Sequence, residues 1–326
     1  MVAVTSNTAN EYCPEVVTFG ESMALFSSSD TRGLEYAQQV MKSFGGAESN
    51  VAIGLSRLGH RAGGFSRLGT DPLGRYIMKS IRGEGVDVSR IRWCEGVPTG
   101  LMMREQTAGK NSVYYYRKLA AASTMSPSDL DEDYIRSAKI LHVTGITCAL
   151  SANCAETVLS AIQIAKEAGV LVSFDPNLRL KLWTIEEARA MLLPIAELAD
   201  LFLPGLDELK LLYDTEDEAA IFERLSLLEG TSIVKGGLGM NYVVQGSEII
   251  EVPYTPVDHV VDTVGAGDAF CAGLLSGILR YGDPVEAVKL GNVTGAMVVQ
   301  AFGDWEATPT WQQVQDWLHQ TAHIER

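Results

Sequence analysis

The 326-residue chain is predicted to be an α/β protein, a mostly parallel sheet covered by helices on both faces with a small β-sheet inserted as a lid. Two observations carry that expectation. Segments rich in β-branched and aromatic residues alternate with segments of helical period roughly 10 to 15 residues long, the pattern of a parallel sheet whose crossovers are helices. Two stretches, 29–42 and 92–120, break the alternation and contain no helix pattern. No repeat or Pro-rich linker divides the chain, so 11–28, 43–91 and 121–326 are expected to form one core that the two stretches interrupt.

The elements follow in order. "EVVTFGESMALF" reads as a buried strand ending at Gly20 and a second extended piece. In "SNVAIGLSRLGH" the period changes, with Val51, Leu55 and Leu58 at helical spacing and Gly59 as the stop. "RAGGFSRLGTDPLGRYIMKSIRGEGV" repeats strand, turn and helix, and "TGLMMREQ" and "NSVYYYRK" pair as a hairpin around "TAGK". Further units fall at "AKILHVTGIT", "NCAETVLSAIQIAKEAGVLVSFDPN", "ADLFLPGLDELKLLY" and "TSIVKGGLGMNYVVQ". An inserted β unit of this kind either closes over substrate or serves as an edge or subunit contact. Its exposed β edge favours a homo-oligomer that covers it.

A net charge of −15 argues against nucleic acid or an anionic membrane as partner, and requires any small anionic ligand to meet a local cluster of Arg and Lys. No run approaches the roughly 20 apolar residues of a membrane span. The first ten residues, "MVAVTSNTAN", lack a basic start and an apolar stretch; they read as a frayed leader, and the protein is expected in the cytoplasm. The cysteines, 13, 94, 148, 154 and 271, are odd in number and without metal-ligand spacing, so buried free thiols are expected. The histidines, 60, 142, 259, 319 and 323, likewise lack a partner at metal spacing, and His142 reads as a core or near-site hydrogen bonder.

The densest chemistry lies in "VVDTVGAGDAFCAGLL", where "VGAG" opens a helix expected from Ala266 to Leu279. Unpaired first-turn amides and the positive end of the helix dipole make such a turn an anion site. Asp268, in the first turn, could simply favour the dipole. A catalytic reading also explains the small residues before it: the amides of Gly265, Ala266 and Gly267 hold charge on a transferred phosphoryl group while Asp268 accepts the proton of the attacking hydroxyl. The Walker A pattern is missing, and no G-x-G-x-x-G follows the first strand.

"DTVGAGDAFCAGLL" resembles the C-terminal signature of the PfkB, or ribokinase-like, carbohydrate kinases, and "GGAESNVAIGLSRLG" their N-terminal signature, about 200 residues earlier and in the expected order. The resemblance runs from about Val16 to Pro309. It implies a three-layer α/β/α core with a β lid and phosphorylation of a sugar-like hydroxyl by ATP with Mg²⁺; a monovalent-cation requirement stays open. It places Asp268 as base, Gly265, Ala266 and Gly267 as anion hole, and Gly46 and Asn50 in the sugar pocket. In "PGLDE" Glu208 would help organise magnesium and phosphate, although Gly205 stands where the family has Asn. "VKGGLGM" resembles the nucleotide turn, with Lys235, Gly237 and Gly239 as candidates, or Gly236 and Gly239 in another register, and Met240 where a second glycine is common. Asn292 would border the adenine.

Within the family, "FGESMALF", "SVYYYRKLAAAS", "HVTGI", "FDPNLRLKLW" and "QAFGDWEATPT" look most like the kinases of 2-keto-3-deoxygluconate, with Met102 and Leu119 as departures. On that resemblance Tyr115, Arg117 and Arg179 hold a sugar acid. A guanidinium can pair with a carboxylate in bidentate fashion, and Lys118 and Lys181 add local positive charge. Arg179 follows a strand ending in Asp-Pro-Asn and should lie at the carboxyl edge of the sheet, where open α/β folds place ligands. Tyr114, Tyr115 and Tyr116 must alternate between strand faces, so one face at most meets substrate. Neutral-sugar kinases of the family carry related arginines, which keeps fructokinase as the alternative. A non-catalytic sugar or nucleotide sensor is the rival from another class, and the retained Asp268 and Glu208 argue against it.

Overall fold

The computed structural model describes residues 13–28, 30–107, 110–237 and 239–319. The expected leader, the tip of the "TAGK" turn and His323 lie outside the described residues. The chain runs β1 (Val16–Phe19), β2 (Met23–Ser27), β3 (Met41–Gly45), α1 (Ala47–Arg57), β4 (Ala62–Phe65), β5 (Arg67–Gly69), α2 (Pro72–Gly83), β6 (Arg92–Cys94), β7 (Leu101–Thr107) and β8 (Lys110–Tyr116). It continues with α3 (Glu132–Arg136), β9 (Ile140–Thr144), α4 (Gly145–Cys148), α5 (Ala152–Ala168), β10 (Leu171–Asp175), α6 (Ile185–Leu198), β11 (Leu201–Phe202), α7 (Leu206–Tyr213) and α8 (Glu218–Leu225). The last part is β12 (Thr231–Lys235), β13 (Met240–Gln245), β14 (Glu248–Pro253), α9 (Ala266–Tyr281), α10 (Pro284–Val298) and α11 (Trp311–Leu318).

The large sheet has the order β14-β13-β12-β11-β10-β9-β1-β4. Every pairing from β12 to β4 is parallel, and β13 and β14 add an antiparallel edge. Adjacent residues of β1 serve opposite faces, as a pleated strand requires. Val17 joins a core with Val158 and Ile162 of α5 and Leu192 of α6, and Val16 joins one with Val51 of α1, Leu274 of α9 and Val288 of α10. The expected three-layer core is therefore present.

Side-chain caps fix the crossover helices in place. Thr184 and Glu187 form a reciprocal capping box at the start of α6, and Ser151 accepts from Cys154 N at the start of α5. On the other face α1 and α9 touch almost backbone to backbone: a Cβ on Gly54 would lie 2.6 Å from Ala272 Cβ.

The small sheet has the order β3-β2-β7-β8, with β2 parallel to β7 and the other pairs antiparallel. The expected hairpin is there, registered from Leu101 opposite Tyr116 to Thr107 opposite Lys110. The strand assignment corrects the expected boundaries. Met23–Ser27 and most of Met41–Gly45, which the sequence reading gave to the core, belong to the small sheet, whereas Arg92–Cys94 pairs with β5 outside it. The second extended piece of "FGESMALF" turns away from β1 after Gly20, a change of sheet that alternation cannot reveal. All five cysteines are free; Cys148, Cys154 and Cys271 are buried as expected, but Cys13 is exposed and Cys94 half-buried. No helix among the described residues is long and apolar enough to cross a membrane.

Candidate active site

A cavity of about 510 Å³ lies between the carboxyl ends of the parallel strands and the small sheet. Its walls include Gly46, which caps α1, and Asn50 within it, Tyr115 and Arg117 from β8 and the residue after it, Arg179, Glu208, Lys235, and Gly265, Gly267 and Asp268 from the start of α9. A second, largely apolar cavity of about 360 Å³ adjoins it, bounded by Tyr254, Val257, Val260, Ala266, Phe270, Asn292 and Val299. The two share Lys235, Thr263 and Gly267.

Gly265 caps α9 in the left-handed region at φ 76°, and a Cβ there would run into the Asp304 carbonyl oxygen at 1.8 Å. Only glycine fits. A Cβ on Gly267 would meet nothing within 4 Å, so protein packing does not account for that glycine; open space in front of the first-turn amides does. Asp268 accepts from Asn50 Nδ2 at 2.8 Å through Oδ2. Burial pushes its carboxyl up to about 7, with the Asn50 amide pulling down and the charges of Asp175 and Glu48 adding to the rise. A carboxylate poised near neutrality suits a general base.

The remaining expected residues divide. Tyr115 lines the cavity with Arg117 and Lys181 each 5.7 Å from its ring centre, while Tyr114 turns away to donate to Glu105 at 2.6 Å. Arg117 is in the wall, but its guanidinium is ion-paired with buried Glu21. Arg179 is exposed to the cavity; its side chain donates to the Leu178 carbonyl at 3.3 Å, and it has no carboxylate partner among the described residues.

Both Glu208 oxygens accept backbone amides, Leu178 N and Gly205 N, each at 2.7 Å, so this carboxylate ties the Arg179 loop to α7. Lys235 Nζ is 3.0 Å from Asp175 Oδ1. Burial alone would lower the lysine's pKa, but the charges of Asp175, Cys271 and Glu208 together with the Asp175 hydrogen bond hold the ammonium above its usual range. Asn292 borders the second cavity, its amide spanning Asn241 Nδ2 at 2.6 Å and the Pro253 carbonyl at 2.8 Å. Gly237 and Gly239 lie in the turn between β12 and β13 and line neither cavity. His142, fully buried, bonds Ser173 Oγ at 3.0 Å and is held neutral by burial, its pKa lowered to about 4.

A profile described as pfkB family carbohydrate kinase matches residues 14–311. The chain belongs to that family. It is 41% identical to the 2-dehydro-3-deoxygluconokinase of Bacillus subtilis (strain 168), over 96% of this chain and 98% of the relative. It is 34% identical to the probable fructokinase-6, chloroplastic, of Arabidopsis thaliana, over 97% and 85%. The crystal structure of a putative ribokinase II from E. coli in complex with ATP and Mg²⁺ superposes with a TM-score of 0.85 at 26% identity, covering 94% of this chain and 99% of that one. The chain is accordingly a pfkB carbohydrate kinase, a phosphotransferase with an alcohol group as acceptor, on the ribokinase-like fold expected from its two signatures.

Four acidic residues of this pfkB kinase site were not singled out by sequence reasoning: Glu21, Glu48, Asp175 and Asp304 all line the first cavity. Glu48 is buried between the hydroxyls of Thr144 and Thr147, both donating to Oε1, and its carboxyl is raised by burial. Asp304 is 8% exposed, keeps Oδ1 without a partner, and is pushed up to about 7 by burial and the neighbouring Asp268 charge. The available signal was position: Glu21 and Asp304 fall inside two of the segments that carried the resemblance, "FGESMALF" and "QAFGDWEATPT".

Proposed function

We propose that this kinase transfers the γ-phosphoryl group of ATP to the terminal hydroxyl of 2-keto-3-deoxygluconate, giving the 6-phosphate and ADP, with the small sheet as the lid. The observation that carries the acid as substrate is Arg179, a cavity guanidinium without a carboxylate partner among the described residues, in a site otherwise dominated by acids. A carboxylate-bearing acceptor supplies the missing partner. The unpartnered oxygens of Asn50, Asn177 and Asp304 in the same wall suit its hydroxyls.

The second cavity fits a flat base and the α9 turn fits phosphates. Lys235, on the border, suits the transferred group. Magnesium fits as a companion of the phosphates rather than as a resident of a protein cage: Asp175 already faces Lys235, and Glu208 is occupied by two amides. When bound it neutralises charge on the phosphate oxygens. Asp268 takes the hydroxyl proton as the new O–P bond forms and the bridging P–O bond to ADP breaks. The turn amides of Gly265 to Gly267 hold the charge on the group in transit. A closed lid keeps water from competing as acceptor. A homo-oligomer over the exposed lid edge belongs to the same proposal.

Fructokinase is the second reading, favoured by the Glu21–Arg117 pair, which neutralises the other arginine expected to meet an acid. The test is ADP release over a panel of hexoses with and without a carboxylate. The acid should be preferred in kcat/KM, by a margin that shrinks in Arg179→Ala. A higher kcat/KM for fructose, unaffected by that substitution, establishes the second reading instead.

A further inference from the structure

Arg104 is a lid residue whose side chain reaches the catalytic turn. Its backbone is fixed in β7 opposite Ser27 of β2 and Val113 of β8, and its carbonyl accepts from Ser28 N at 2.9 Å. Its guanidinium leaves the sheet and places Nη2 2.7 Å from Asp262 Oδ2, with 13% and 1% of the two side chains exposed. The other Asp262 oxygen, Oδ1, accepts from Val264 N at 3.2 Å, one residue before Gly265. The Asp262 amide in turn bonds the Val299 carbonyl at 3.2 Å, at the wall of the second cavity. One carboxylate thus holds the lid on one oxygen and the start of the anion turn on the other.

The choice of an ion pair here is informative. Taking two charges out of water is costly, and an apolar contact of similar volume would hold the lid at least as firmly. What an ion pair adds is reversibility, because water recovers both charges when the sheet lifts, and a two-state contact that depends on lid position. We propose that Arg104 and Asp262 form a latch coupling closure of the lid over the acceptor to the geometry of the Gly265–Gly267 turn, so that the turn holds the phosphoryl group correctly only beneath a closed lid. Arg104 is a positioning residue in this scheme, acting through Asp262 and the Val264 amide. The inference rests on the reading of 265–268 as the catalytic turn.

The experiment compares Arg104→Gln, Arg104→Lys and the double variant Arg104→Gln/Asp262→Asn with the parent, using 2-keto-3-deoxygluconate and fructose as acceptors and Asp268→Asn as control. Arg104→Gln strands a buried carboxylate and should lower Tm; the double variant strands none and should recover it. If the pair is a latch, kcat falls in both by up to about 10², the scale of a misplaced reacting group, while ATP affinity by calorimetry stays within about threefold. Arg104→Lys, which keeps the charge, should restore part of kcat.

A kcat that recovers together with Tm in the double variant overturns the latch and leaves a stability contact. A kcat within twofold of the parent in every Arg104 variant overturns it as well. Should Arg104→Gln not fold, the double variant and Arg104→Lys decide by the same two outcomes. Full activity in Asp268→Asn, by contrast, brings down the reading of the turn and not the latch alone.

Discussion

Asn50 Nδ2 donates to Asp268 Oδ2 across 2.8 Å, joining the N-terminal signature of the chain to its C-terminal one at a single hydrogen bond. The Asn50 amide and the Asp268 carboxyl are therefore one unit, and the amide offsets part of the rise that burial imposes on the carboxyl. Asp268→Asn keeps the shape and removes the base. kcat should fall by about 10² to 10⁴, measured as ADP release, with ATP binding retained. Near-parental turnover would remove Asp268 from the chemistry.

The same pair predicts a pH profile. A base whose carboxyl sits at about 7 is protonated and idle below that pH, so kcat/KM should rise through about pH 7 and then level. Asn50→Leu deletes the donor that favours the charged form. Its acid limb should move upward by about one pH unit, the worth of one hydrogen bond to a charge; an unmoved limb separates Asn50 from the titration.

Asp304 predicts a stability trend. Its carboxyl is raised to about 7 in the folded protein, so the fold binds that proton more tightly than the unfolded chain does. The contribution is present below about pH 4 and is lost as pH climbs through about 7. Asp304→Asn should therefore raise Tm more at pH 8 than at pH 5, by at most a few kcal/mol in free energy. Thermal melts of the ligand-free enzyme at both pH values check it; equal gains would place the carboxyl's titration elsewhere.

Lys235 stands where the two cavities meet. Lys235→Met removes the cation there and leaves Asp175, which is 3% exposed, with the Asn177 amide and the Cys271 thiol but without its cationic partner. Stability should drop by about 3 kcal/mol or more, as for other broken buried pairs. KM for ATP should rise by at least tenfold while KM for the sugar changes little, a split that steady-state kinetics resolves. A parental KM for ATP would confine Lys235 to a structural role.

Much of this site was legible because its central element is local. Three small residues before an aspartate specify a cap, a turn and an open helix end within seven positions of chain, and the Gly265 backbone agrees with that. The parallel core was legible for a similar reason, since each strand and helix is signalled by its own residues. Partnerships were not. Arg117 reads as a free cation until the fold brings Glu21 to it, and nothing around Glu208 in the sequence shows that both its oxygens accept backbone amides. Asp304 stands in the stretch "QAFGDWEATPT", which has neither strand nor helix period, and nothing nearby in sequence announces that the fold buries it beside Asp268. The change of sheet after Gly20 was hidden because β1 and β2 have the same residue pattern and differ only in what they pair with.

The near-contact of Gly54 with Ala272 has a consequence for how such enzymes can be recombined. Four residues, one helical turn, separate Asn50 from Gly54 on α1, and another four separate Asp268 from Ala272 on α9. The bond between the first pair is thus set by the fit of the second. A chimaera that takes its first half from one relative and its second from another would inherit each signature intact and could still misplace the base, if the two parents settled that helix contact with residues of different size.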